Sequence, residues 1–165
     1  MNIYDFAMQM EKDGENYYRE LAAASEIAGL KKIFSMLADE EVKHFHIFRQ
    51  LKEKKGETQF PETSILTNVK NIFINMKEEK PHLHIDTTAD TNAFRKAREI
   101  EQKSIDFYLE KAEEAESPSM KNILIWLAKE EEKHLNIMQN LVEFVSRPEP
   151  GHWLENAEWH HLEEY

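Results

Sequence analysis

The chain of 165 residues has 32 acidic and 21 basic side chains, a net charge of −11 and no cysteine, yet 41% of it is hydrophobic and 10% aromatic. These figures fit one folded domain, or two very small ones, with a core buried without disulfides. They exclude a disordered acidic tail, thiolate metal sites and cysteine nucleophiles, and the lack of a basic surplus argues against a nucleic-acid partner. With only 4 Gly and 5 Pro, long helices are favoured over turn-rich β architectures. No apolar run approaches the roughly 18 residues of a membrane span. The opening MNIYDFAMQMEKDGE is interrupted by acids and lacks the pattern of a signal peptide. A soluble cytoplasmic protein with no membrane partner is expected.

The spacing of Ile3, Phe6, Ala7, Met10, Tyr18, Leu21 and Ala22 predicts a helix over about 2–26. Leu30, Ile33, Leu37, Phe48 and Leu51 predict a second over about 29–55. Gly56 and Pro61 break the pattern. A shorter helix follows over about 64–79, and Pro81 ends it, with HLHIDTTADTN read as a loop. Phe94, Ala97, Ile100, Ile105, Tyr108 and Ala112 mark a third long helix over about 89–116. Ser117 as N-cap and Pro118 at the first helical position open the fourth, which runs to about Arg147. Two helical hairpins joined by a connection over about 56–88 predict an all-α four-helix bundle with one long crossover at 1–147. Residues 148–165, broken by Pro148 and Pro150, form an irregular C-terminal tail rich in aromatic and acidic residues.

A shift of 90 residues superimposes the halves without a gap: residues 7–51 and 97–141 share 16 identities in 45. Glu11 falls on Glu101, Tyr18 on Tyr108, and the segment AxEExKH recurs at 38–44 and 128–134. Matches of Leu, Ala and Lys are common among amphipathic helices. Matches of Glu and His in one register are not.

Steps of three and four residues define the face of a helix. On that basis Ala7, Glu11, Gly14 and Tyr18 form one row, and Ala97, Glu101, Ser104 and Tyr108 another. Leu37, Glu41, His44 and Phe48 align on the second helix, as do Leu127, Glu131, His134 and Met138 on the fourth. Each helix thus sets a carboxylate within its own apolar stripe, and two add an imidazole one turn on. Burying an unneutralised ion costs several kcal/mol, and no Lys or Arg shares these rows. Two divalent cations would balance four carboxylates with two neutral imidazoles, and oxygen-rich donors with some nitrogen suit iron or manganese. Glu11, Glu41, His44, Glu101, Glu131 and His134 are therefore the expected metal ligands, in the di-metal carboxylate pattern of helical bundles. Tyr18 and Tyr108, two turns beyond Glu11 and Glu101, are expected to orient the ligand carboxylates. Glu15, Glu40 and Glu130 read as solvated helix faces. His46, His82, His84, His152, His160 and His161 read as surface or interface residues.

Over residues 1–147, through two Glu…Tyr helices and two ExxH helices, the chain resembles the rubrerythrin-type proteins of the ferritin-like superfamily. The ending WLENAEWHHLEEY is similar to tails of short rubrerythrin-like proteins. The resemblance implies a ferritin-like bundle with two iron ions as cofactor, manganese or zinc being possible when loaded, and Glu41 and Glu131 bridging the pair. It implies a di-iron oxidoreductase that reduces hydrogen peroxide or dioxygen. Rubrerythrins proper add a tetracysteine rubredoxin-like domain, which a chain without Cys does not supply, so an external rubredoxin-like electron donor is expected. They also have a further Glu on the third long helix, where this chain has Arg98 and Ser104 on either side of Glu101. The haem-binding Met of bacterioferritin is replaced by Val42. The alternatives are a ferroxidase or iron-storage module, which requires a hollow shell, and a non-enzymatic bundle acting through Trp153, Trp159 and Tyr165. A homodimer is expected.

Overall fold

A computed structural model describes residues 2–53, 65–79 and 87–146. All the secondary structure within them is helical: α1 (Ile3–Ala24), α2 (Ala28–Glu53), α3 (Ile65–Glu79), α4 (Thr87–Glu114) and α5 (Pro118–Ser146). None of these helices is long and apolar enough to cross a membrane. The expected C-terminal tail at 148–165, His82, His84 and most of the connection around α3 lie outside the described residues.

The helix ends follow from local chemistry. The Asn2 side chain accepts a hydrogen bond from the Asp5 amide at 2.8 Å, which satisfies one of the free donors at the start of α1. Ser117 caps α5 as its sequence predicts, its hydroxyl accepting from the Met120 amide at 3.3 Å. The start of α4 differs from expectation. The helix begins at Thr87, about two residues before the expected start at 89, so the end of the segment read as a loop is its first turn. Asp90 sits in the first turn, where a negative charge complements the helix dipole, and Thr91 is buried.

The chain divides into two compact units, with the division between Asn68 and Val69 inside α3. In the first, α1 packs against α2. Its core comprises Ala7, Tyr18, Leu30, Ile33, Phe34, Leu37, Ala38, Ile47 and Phe48. Arg19 bonds the Asp39 carboxylate at 2.7 Å, and Lys52 pairs with Asp5, so both ends of the hairpin are tied at the surface. Phe6, counted above among the apolar positions of α1, is 45% exposed. It stands one residue off the row centred on Ala7 and Glu11, about 100° around the helix.

In the second unit α4 packs against α5, around Phe94, Ala97, Tyr108, Ile123, Leu124, Leu127, Ile137, Met138 and Leu141. Arg98 donates to the Gln139 side chain at 2.8 Å. The Phe73 ring of α3 meets Phe144 of α5 edge to face, with centroids 6.1 Å apart. The 90-residue repeat is thus expressed as two helical hairpins of the same construction.

Candidate metal centre

Each hairpin buries an acidic trio. In the first, Glu11 comes from α1, and Glu41 and His44 from adjacent turns of α2. All three are buried, and one ligand atom from each lies within 4.8 Å of the others. The Nδ1 atom of His44 is 3.5 Å from a carboxylate oxygen of Glu11. In the second, Glu101 of α4 joins Glu131 and His134 of α5, again buried and within 4.8 Å of one another. Here Nδ1 of His134 stands 3.5 Å from Glu101 and 3.2 Å from Glu131. All six predicted residues are therefore buried, and each half of the repeat assembles its own three.

Burial alone disfavours the charged form of His134. The charge of Glu101 and its hydrogen bond, with those of Glu131, outweigh that penalty and hold the imidazole pKa well above 6.5. A proton is a partial substitute for a cation in such a trio. The donor set fits a metal ion: carboxylate oxygens and imidazole nitrogens converge where no thiolate is present. The carboxylates of Glu11 and Glu131 are buried beside these imidazoles, and a cation would offset the cost of burying their charge.

Tyr18 and Tyr108 are both buried, on the rows that hold Glu11 and Glu101. Seven residues separate each from its glutamate, a rise of about 10 Å along the helix. Gly14 lies between Glu11 and Tyr18. A Cβ built on it would meet the Glu41 carboxylate at 3.4 Å.

Two expectations are corrected. Glu40 and Glu130 do not face solvent; they are 7% and 4% exposed. Each is an ion-pair partner of the lysine three residues on, Lys43 at 3.0 Å and Lys133 at 2.7 Å. Glu15 is only partly exposed and pairs with Lys12 and Arg19. His46 is half-buried, its ring edge to face with Phe45. One feature of the sequence could have revealed the buried glutamates. EExKH recurs at the same register in both halves, and solvated faces have no physical reason to repeat.

The Rubrerythrin family model matches residues 2–142, most of the chain. The chain belongs to that family, and its all-α, ferritin-like, di-iron character follows. No match is found among curated proteins or solved structures.

Proposed function

We propose that this member of the Rubrerythrin family is a di-iron oxidoreductase that reduces hydrogen peroxide or dioxygen with electrons from an external donor. The observation that supports this most is the buried Glu, Glu and His trio built twice, once in each hairpin. Glu11, Glu41, His44, Glu101, Glu131 and His134 would hold the two ions. Two ferrous ions supply one electron each, which with two protons converts one hydrogen peroxide to two waters.

The protein's own part is electrostatic and steric. Four carboxylates offset the charge of two divalent ions. The aliphatic and aromatic residues around them, Leu37 and Phe48 in one hairpin and Leu127 and Met138 in the other, are buried and exclude bulk water. Tyr18 and Tyr108 orient the ligand carboxylates from the same helix rows. Glu101 and Glu131 favour the protonated imidazole of metal-free His134, so an ion bound there would displace that proton.

The 165 residues hold no cysteine, so no tetracysteine iron centre lies within them. A separate rubredoxin-like protein is the expected reductant and a second copy of this chain the expected partner. The test is anaerobic addition of hydrogen peroxide to the ferrous protein. The proposal expects two irons oxidised for each peroxide consumed. Ferrous protein that peroxide leaves unoxidised would refute it.

A further inference from the structure

Each hairpin carries two adjacent aromatic residues beyond the glutamate of its first helix, and the pairs differ by a single hydroxyl. In α1 they are Tyr17 and Tyr18; at the same register in α4 they are Phe107 and Tyr108. Tyr18 is buried on the row that holds Glu11. Aromatic side chains on a helix lean toward its N-terminal end, which for Tyr18 is the direction of Gly14 and Glu11. Tyr17 is the next residue, about 100° around the helix, and is only half-buried. The two rings meet edge to face, with centroids 6.5 Å apart and planes inclined at 63°. Two phenols in contact therefore lead from the ligand row to the surface of α1. The pair in α4 has similar geometry, with centroids 5.7 Å apart and planes at 65°. It ends on Phe107, which has no phenolic proton to give and is much harder to oxidise. Burial and the negative charge of Glu20 raise the pKa of the Tyr17 phenol, so Tyr17 keeps its proton at neutral pH. The same carboxylate is a base for that proton once the ring is oxidised.

We propose that Tyr18 and Tyr17 form a one-electron relay that carries an oxidising equivalent from the metal centre to the protein surface. The proposal rests on the peroxide-reducing reading above and concerns a centre that holds only one ferrous ion. Reduction of one hydrogen peroxide to two waters takes two electrons and two protons, and such a centre supplies one electron. Tyr18 gives the second electron together with its phenolic proton. A proton from solvent completes the two waters, and Tyr18 is left as a neutral radical. Tyr17 then passes one electron and one proton to Tyr18, which restores the buried phenol and moves the radical to the half-buried ring. There it is reduced from solution, or couples with another tyrosyl radical to form the carbon–carbon bond of dityrosine. A radical on Tyr108 meets Phe107 instead and is not passed on.

The test loads the chelated protein anaerobically with one equivalent of Fe(II) per chain and adds one equivalent of hydrogen peroxide. Freeze-quench electron paramagnetic resonance follows the radical, and dityrosine fluorescence with peptide mass spectrometry locates the cross-link. Wild type is expected to give a short-lived tyrosyl signal and a cross-link at Tyr17. Tyr17→Phe should lose that cross-link and lengthen the life of the signal, while peroxide reduction by the fully loaded protein is unchanged. Tyr18→Phe should lose the cross-link although Tyr17 is still present. Tyr17→Phe combined with Phe107→Tyr leaves Tyr18 in place and should restore a cross-link, now at position 107. A cross-link at Tyr17 that survives in Tyr18→Phe, or forms equally in metal-free wild type, would mean oxidation from solution and overturn the relay. A signal that decays as fast in Tyr17→Phe as in wild type would overturn it too. A wild type without a tyrosyl signal, whose fully loaded form still reduces peroxide, would overturn the relay and leave the proposed activity standing. Iron that peroxide fails to oxidise at either loading would overturn both.

Discussion

Replacing Glu41 by glutamine is expected to stabilise the metal-free protein and weaken the metal-loaded one. The carboxylate oxygens of Glu41 and Glu11 have atoms within 4.8 Å of each other, and both side chains are buried. At an effective dielectric of about 20, two unit charges at that separation repel by about 3.5 kcal/mol. Partial protonation of the trio lowers the repulsion, so a gain of about 1–3 kcal/mol is expected from Glu41→Gln. For a chain of this size about 1 kcal/mol moves Tm by 2–4 °C, which gives a rise of about 2–12 °C without metal. With metal the order reverses. Wild type gains about 4.1 kcal/mol from an ion present at 1,000 times its Kd, more than the variant gains without metal, and the variant forgoes it. Calorimetry after chelation, and again after anaerobic loading with Fe(II), reads both signs. A Glu41→Gln protein less stable than wild type in the chelated state would refute the reasoning. It would mean that the carboxylate already belongs to a stabilising internal network.

Other consequences concern pH, buried ion pairs and capping. The raised pKa of His134 gives the metal-free protein stability that is complete below the unfolded value near 6.5 and lost as pH climbs through the folded value. Its Tm should therefore fall with rising pH on the alkaline side of neutrality, and the fall should be absent from the metal-loaded form. Lys133 has a side chain only 13% exposed and pairs with buried Glu130, whereas the side chain of Lys43 is 43% exposed beside Glu40. Denaturant melts should show Lys133→Met costing about 2–3 kcal/mol and Lys43→Met about 1 kcal/mol or less; equal losses would contradict the difference in burial. Removing the cap of α5 with Ser117→Ala should cost about 1 kcal/mol in the same assay, and an unchanged midpoint would show that the cap contributes nothing.

The centre was legible because metal binding puts charged residues where helical periodicity demands apolar ones. Glu11, Glu41, Glu101 and Glu131 each interrupt a row that is otherwise buried, and the repeat shows it twice. Glu40 and Glu130 were misread for a related reason. Each lies one residue from a ligand glutamate and three from a lysine, a pattern that on an isolated helix is an ordinary solvated pair. Only the packing of the flank decides that these two are buried. Thr87 and Thr88 carry no apolar stripe to mark them as helix, and the two-residue earlier start of α4 shows only in the folded chain. Gly14 stood in the correct row from the start, but contact with Glu41 is a relation between two helices, and spacing along one of them does not contain it.

The central claim is that six buried side chains hold two metal ions. Anaerobic loading of the chelated protein with Fe(II), removal of free iron and elemental analysis test it most directly, with Glu101→Ala beside the wild type. The account predicts two irons per chain in the wild type and one in the variant. A wild-type chain that retains none, or a variant that retains as much as the wild type, would contradict it.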